Sequence, residues 1–157
     1  MFSKACEYGI KAALFIAVTS GQERRVRLSE IAAGIESPEF FTSKILQKLV
    51  KCGIIDSVKG PSGGFEIKSR KPDGIRISEI VTAIDGNGIY EGCGLGFAHC
   101  NELRPCPLHH KFKNIRNDLK MMLENTTLKQ LSEDIYTGNS YLTKNKNQIW
   151  KTLKQKK

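Results

Sequence analysis

Apolar positions recur at helical spacing over most of the chain and shorten to strand-like runs at one place only. Residues 3–19 (SKACEYGIKAALFIAVT) are apolar nearly all round beyond Ile10, which predicts a helix buried in the core. Leu28, Ile31, Ala32 and Ile35 follow at i, i+3, i+4 and i+7, a short second helix that Gly34 helps to end. Ser37-Pro38-Glu39 then combines an N-cap, a first-turn proline and an early acid, so a third helix starts there. It runs to about Lys51, with Phe41, Ile45, Leu49 and Cys52 on one stripe, and Gly53 stops it. Its other side presents Thr42, Ser43, Lys44, Gln47, Lys48 and Lys51.

Two strand-like runs follow, Ile54–Lys59 and Phe65–Ile67, joined by Gly60-Pro61-Ser62-Gly63-Gly64, a turn cluster that reads as a hairpin with a longer loop. Three helices followed by a hairpin make a winged helix-turn-helix. The polar face of the third helix carries short hydrogen-bonding groups and lysines, which suits a major-groove reader with phosphate clamps. Lys59 stands at the hairpin's shoulder, within reach of phosphates or the minor groove, and Gly63 and Gly64 would let backbone approach DNA closely. A solvated amphipathic helix beside a plain hairpin is the competing reading of these pieces. Their order favours DNA binding.

Beyond the hairpin, residues 77–85 form a short apolar-striped helix, and a long helix begins near Pro107. Leu108, Phe112, Ile115, Leu119 and Met122 step by 4, 3, 4 and 3, a heptad seam that packs along a partner helix or against its own domain. Thr126 and Thr127 cap a last helix carrying Leu128, Leu131 and Ile135. The winged module already has its own core, which favours the partner helix, so the expected fold class is mostly α with a small β-hairpin wing: a winged helix-turn-helix plus a long dimerisation helix. The expected division is a DNA-binding module over 1–85, a ligand loop with dimerisation helices over 86–135, and a flexible Lys-rich tail over 136–157 in which Trp150 stands isolated.

Charge sharpens this division. The net charge of +9 splits into twelve Lys/Arg against seven Asp/Glu over residues 1–72 (+5), seven against nine over 73–135 (−2), and six Lys with no acid over 136–157 (+6). A basic front and tail suit a polyanion, and the tail adds nonspecific DNA affinity. Five cysteines, three of them clustered, argue against a secreted disulfide framework and for a reducing cytoplasm. No signal peptide or membrane span is expected. The absence of a Gly-rich phosphate loop, a nucleophile elbow and a zinc-hydrolase helix motif argues against an enzyme with a small-molecule substrate.

The stretch CGLGFAHCNELRPCPLHH, residues 93–110, is the chemical centre of the sequence. Cys93, Cys100 and Cys106 are spaced C-x6-C-x5-C within a loop rich in Gly and Pro, and His109 follows three residues later. Thiolates select zinc, copper(I) or iron–sulfur clusters. Zinc sites pair their ligands on a tight knuckle that is missing here, so the wide spacing favours a cluster over zinc or uncoordinated thiols. Cys6 and Cys52 sit in helical patterns and read as small buried hydrophobes.

The wing VKGPSGGF, the opening EYGIKAAL, the run RISEIVTAID and the three-cysteine loop together resemble the IscR and NsrR group of bacterial winged-helix transcription factors, over roughly residues 2–135. The resemblance implies a cytoplasmic homodimer that binds double-stranded operator DNA, as a repressor or activator, with cluster state setting which sites are bound. By position, Cys93, Cys100 and Cys106 match the cluster cysteines. His109 matches the histidine of the IscR type, which holds a 2Fe–2S cluster, so 2Fe–2S is preferred over 4Fe–4S. Glu7 matches a position from which some NsrR-like members offer a carboxylate across the dimer. A solvent-facing or helix-capping His109 and a surface Glu7 are the competing readings. The first cysteine gap is one residue longer than in the IscR type. Ser43 and Lys44 replace that type's acidic and amide base readers, so the operator does not carry over.

Two rival functions remain at this stage: a zinc-stabilised DNA-binding protein with no sensing role, and a thiol redox switch acting through protein partners.

Overall fold

Helix α1 (Lys4–Ser20) forms the axis of the molecule, because ten of its seventeen residues are buried and so it needs neighbours on every side. The computed structural model describes residues 1–20, 24–68 and 70–143. Packed around α1 are α2 (Leu28–Gly34), α3 (Glu39–Lys51), α4 (Ile77–Asp85) and α7 (Leu128–Thr137). Short α5 (Gly88–Glu91) and long α6 (His109–Asn125) pack on one another, and α6 also lies against α4. Among the described residues this is a mostly helical protein with one β-hairpin, as expected.

The contact between α1 and α4 is close: a Cβ on Gly9 would stand 2.0 Å from Ile84 Cδ1 and would push that methyl group aside. At the other end, α4 and α7 are joined by backbone. Ile77 N–H donates to the Thr126 carbonyl at 3.0 Å and Leu128 N–H to the Ile75 carbonyl at 2.9 Å. Helix α7 opens with a capping box in which Thr127 and Gln130 satisfy each other's backbone N–H groups, and it ends on left-handed Gly138. One hydrophobic cluster therefore includes Ile16, Ile31, Leu46 and Ile80 together with Leu123, Leu128 and Ile135 from beyond residue 85. The expected boundary at 85 runs through a shared core.

The hairpin pairs β1 (Asp56–Val58) with β2 (Gly64–Glu66), matching Ser57 with Phe65 and Val58 with Gly64. Strand β1 is shorter than its run in the sequence, and β2 begins one residue earlier than its run. A third stretch joins them, for Val26 and Phe65 exchange both backbone hydrogen bonds at 2.9 and 2.8 Å. Arg25, Val26 and Arg27 alternate polar, apolar, polar, a strand signature too short to stand out without its partner.

Three local expectations need correction. Helix α3 begins at Glu39, with Pro38 as the extended N-cap residue whose carbonyl accepts from Thr42 N–H at 2.9 Å. Cys52 is exposed, because Gly53 ends the helix at φ +67 before that turn reaches the core, whereas Cys6 is buried as expected. Leu46, absent from the predicted stripe, is wholly buried. The expected tail falls from residue 144 onward outside the described residues, while α7 carries on to Thr137.

Candidate functional site

The outer face of α3 is set by what its inner face buries. Ile45, Leu46 and Leu49 lie in the core, and Phe41 packs edge-on against Tyr8 with ring centroids 5.8 Å apart. Phe40, Lys44, Gln47, Lys48 and Lys51 are left exposed, with Ser43 half-buried beside them. Thr42 is withdrawn from this face: it is wholly buried and its hydroxyl lies 3.0 Å from both the Pro38 carbonyl and Ser37 Oγ. A threonine hydroxyl bonded back to the previous turn is spent on its own helix.

The wing is braced from behind by two arginines not singled out in the sequence. Arg25 Nε donates to Glu66 at 3.0 Å and its Nη1 to the Ser62 carbonyl, and Arg27 Nη2 donates to the Pro61 carbonyl. With Arg24 and Lys68 they line a groove of about 1130 Å³ between wing and α2. Lys59 is exposed on the shoulder. Gly63 and Gly64 are explained inside the wing: a Cβ would meet the Val58 carbonyl oxygen at 2.3 Å at the first and the Val26 carbonyl oxygen at 2.7 Å at the second. Gly64 also sits at φ +150. Glycine is demanded by strand closure at both positions, before any approach to DNA.

Between α5 and α6 the three cysteines and His109 line a single cavity of about 340 Å³. Cys93 opens a turn closed by Gly96 N–H on its carbonyl at 3.0 Å. The backbone N–H of Leu95, then that of Phe97, hold its thiol below the ordinary value, and Cys106 adds to the effect. Clustered backbone donors of this kind favour a thiolate. Cys100 Sγ lies 3.2 Å from His109 Nδ1. Arg116 on α6 reaches back to Cys100 Sγ at 3.5 Å and to the Gly92 carbonyl.

His109 begins α6, its N–H bonded to the Cys106 carbonyl at 2.9 Å, and is only 3% exposed. Its Nε2 is buried and has no hydrogen-bond partner among the described residues. His99 and His110 are exposed. Glu7 sits on α1 in an ion pair with Lys4 at 2.8 Å. Among the described residues, no three Cys, His, Asp or Glu side chains gather closely enough to hold a metal ion.

Helix α6 divides the heptad stripe into two rows. Phe112 lies over Gly94 of the cysteine loop, where a Cβ would be 2.7 Å from its ring, and Leu119 packs on the core. These two seam residues therefore serve their own chain, joined by buried Leu123. Leu108, Ile115 and Met122, each seven residues from the next, remain 38, 61 and 53% exposed.

Helix α3 held on α2 beside a small wing defines a winged helix-turn-helix protein. The chain belongs to the Rrf2 family, described as an iron-dependent transcriptional regulator, which matches residues 2–134. It is 33% identical over 133 residues to a putative HTH-type transcriptional regulator of Aquifex aeolicus, covering 83% of this chain and 90% of that protein. It is 30% identical over 131 residues to the regulator NsrR of Geobacillus kaustophilus, covering 82% and 86%. The fold matches CymR, the global cysteine regulator of B. subtilis, with a TM-score of 0.70 at 22% identity over 85% of this chain and 96% of that one. It also matches T. potens IscR, with a TM-score of 0.68 at 19% identity over 89% and 91%. The protein is an Rrf2-family transcriptional regulator. No helix among the described residues is long and apolar enough to cross a membrane.

Proposed function

We propose that the protein is a homodimer that binds operator DNA through α3 and the wing, and that an iron–sulfur cluster held by Cys93, Cys100, Cys106 and His109 governs that binding. The observation that carries the cluster assignment is His109. A buried imidazole nitrogen without a partner is costly, and it belongs to the residue that shares a cavity with all three thiols. The four donors line one cavity, and their wide spacing in the chain suits an object larger than zinc. The mixed thiolate and imidazole set favours 2Fe–2S over 4Fe–4S. The partner's Glu7 is the weaker candidate for the fourth ligand, since Lys4 on the same helix already engages that carboxylate.

A bound cluster supplies a centre that responds to redox state, iron–sulfur supply or nitric oxide. The chain supplies the coupling. Arg116 and Phe112 tie the cysteine loop to α6, and the outward row Leu108, Ile115 and Met122 offers α6 to a second copy. Ordering the loop thus biases the seam, and through it the spacing of the two α3 helices on DNA.

Purification without oxygen, with absorption spectroscopy and iron and sulfide analysis, tests the cluster. Alanine at Cys93, Cys100 or Cys106 is expected to remove it, while alanine at Cys52 leaves it in place. A full cluster in Cys100→Ala, or a colourless zinc protein, overturns the assignment. Lys44→Ala and Lys59→Ala are expected to weaken DNA binding, with the salt slope falling by about one unit for each lost phosphate contact.

A further inference from the structure

Phe40 is 74% exposed at the start of α3, although a phenylalanine left in water forgoes the transfer free energy of its whole ring. Its own fold does not use it, because the adjacent Phe41 takes the inward position against Tyr8. Phe40, Lys44, Gln47 and Lys48 fall at i, i+4, i+7 and i+8, so the ring shares one helix face with the lysines. Lys44 Nζ stands 4.3 Å from the ring centroid, a cation–π contact that steadies the ring and sets a positive charge on its face. An apolar group on a face that carries lysines fits a polyanion that carries an apolar feature of its own. In the major groove the apolar feature offered by the bases is the thymine 5-methyl group.

We propose that Phe40 is a base-reading residue that contacts a thymine 5-methyl group in the operator. The proposal rests on the reading of α3 as the helix in the major groove.

The test begins by selecting tight-binding duplexes from a random pool with the full-length protein purified without oxygen. Each thymine of the selected duplex is then replaced singly by deoxyuridine, which removes only the methyl group. At one thymine position the natural protein is expected to lose about fourfold in affinity, the worth of one buried methyl group. Phe40→Ala should bind the parent duplex more weakly and show no further loss at that position, while Phe40→Leu, which keeps an apolar contact, should retain part of the sensitivity. The salt slope of Phe40→Ala should match the natural protein, since no phosphate contact is lost. The proposal is overturned if Phe40→Ala binds like the natural protein or keeps every deoxyuridine effect. A shift in its sedimentation with the deoxyuridine pattern intact would assign the ring to a protein interface instead, and also overturns it. If no duplex is selected at all, the DNA reading of α3 has failed, an outcome distinct from the failure of Phe40 alone.

Discussion

Around α1, Ile16, Ile31, Leu46 and Ile80 are wholly buried, whereas in the loop between α5 and α6 Leu95, Phe97 and Leu103 stand 49, 62 and 92% exposed. The two regions also treat cysteine in opposite ways. Burial, with help from nearby Asp85, pushes the Cys6 thiol up to about 12. Backbone N–H groups turned on Cys93 hold its thiol below the ordinary value. The same residue type is an inert hydrophobe in one place and a thiol biased toward thiolate in the other, because burial acts on the first sulfur and backbone dipoles on the second. The core region satisfies itself. The loop keeps apolar side chains in water and leaves His109 Nε2 without a partner among the described residues.

The comparison breaks most severely at its buried end. Leu46→Ala should cost about 2–5 kcal/mol of folding stability, measured by denaturant unfolding, because it leaves a cavity where α3 meets the core. Ile115→Asp should cost little in the folding of a single chain, as that side chain is 61% exposed. It should instead weaken dimerisation by about 3–5 kcal/mol, by burying an unpaired charge in the seam. Sedimentation checks this, and iron content measured alongside separates the two candidate fourth ligands. If His109 completes the set the monomer keeps its iron, and if the partner's Glu7 does, the monomer loses it.

Smaller effects sharpen the same contrast. Arg70 holds the Glu79 carboxyl below its ordinary value through a 2.7 Å ion pair at the start of α4, aided by Arg76 N–H. A carboxyl with a lowered folded-state pKa adds stability above the ordinary glutamate range and loses it as pH falls through the folded value. Both side chains are 37% exposed, so solvent screening keeps this below about 1 kcal/mol. Glu79→Gln should therefore reduce stability slightly at pH 7 and flatten its decline in acid. Leu103→Ser, in the loop, should change stability by less than about 0.5 kcal/mol in cofactor-free protein.

Periodicity and punctuation in the sequence determined every α-helix among the described residues except the short α5, together with the hairpin, the three-cysteine loop and the basic face of α3. Each is written in residues a few positions apart, where backbone geometry alone decides which side chains share a face. Only the tertiary structure decided which partner each face meets. Thr42 reads as part of a polar face until its hydroxyl is seen bonded to the previous turn, and Cys52 reads as core until α3 ends beneath it. Val26 becomes a β-bridge only because Phe65 lies beside it, and the start of α7 is tied to the segment before α4 by the bond from Leu128 N–H to the Ile75 carbonyl. The heptad on α6 was legible, but Gly94 claims Phe112 and leaves Ile115 exposed. His109 was legible as a candidate. Its 3% exposure and its unpartnered nitrogen arise from packing between segments distant in the chain, and local spacing carries no record of that contact.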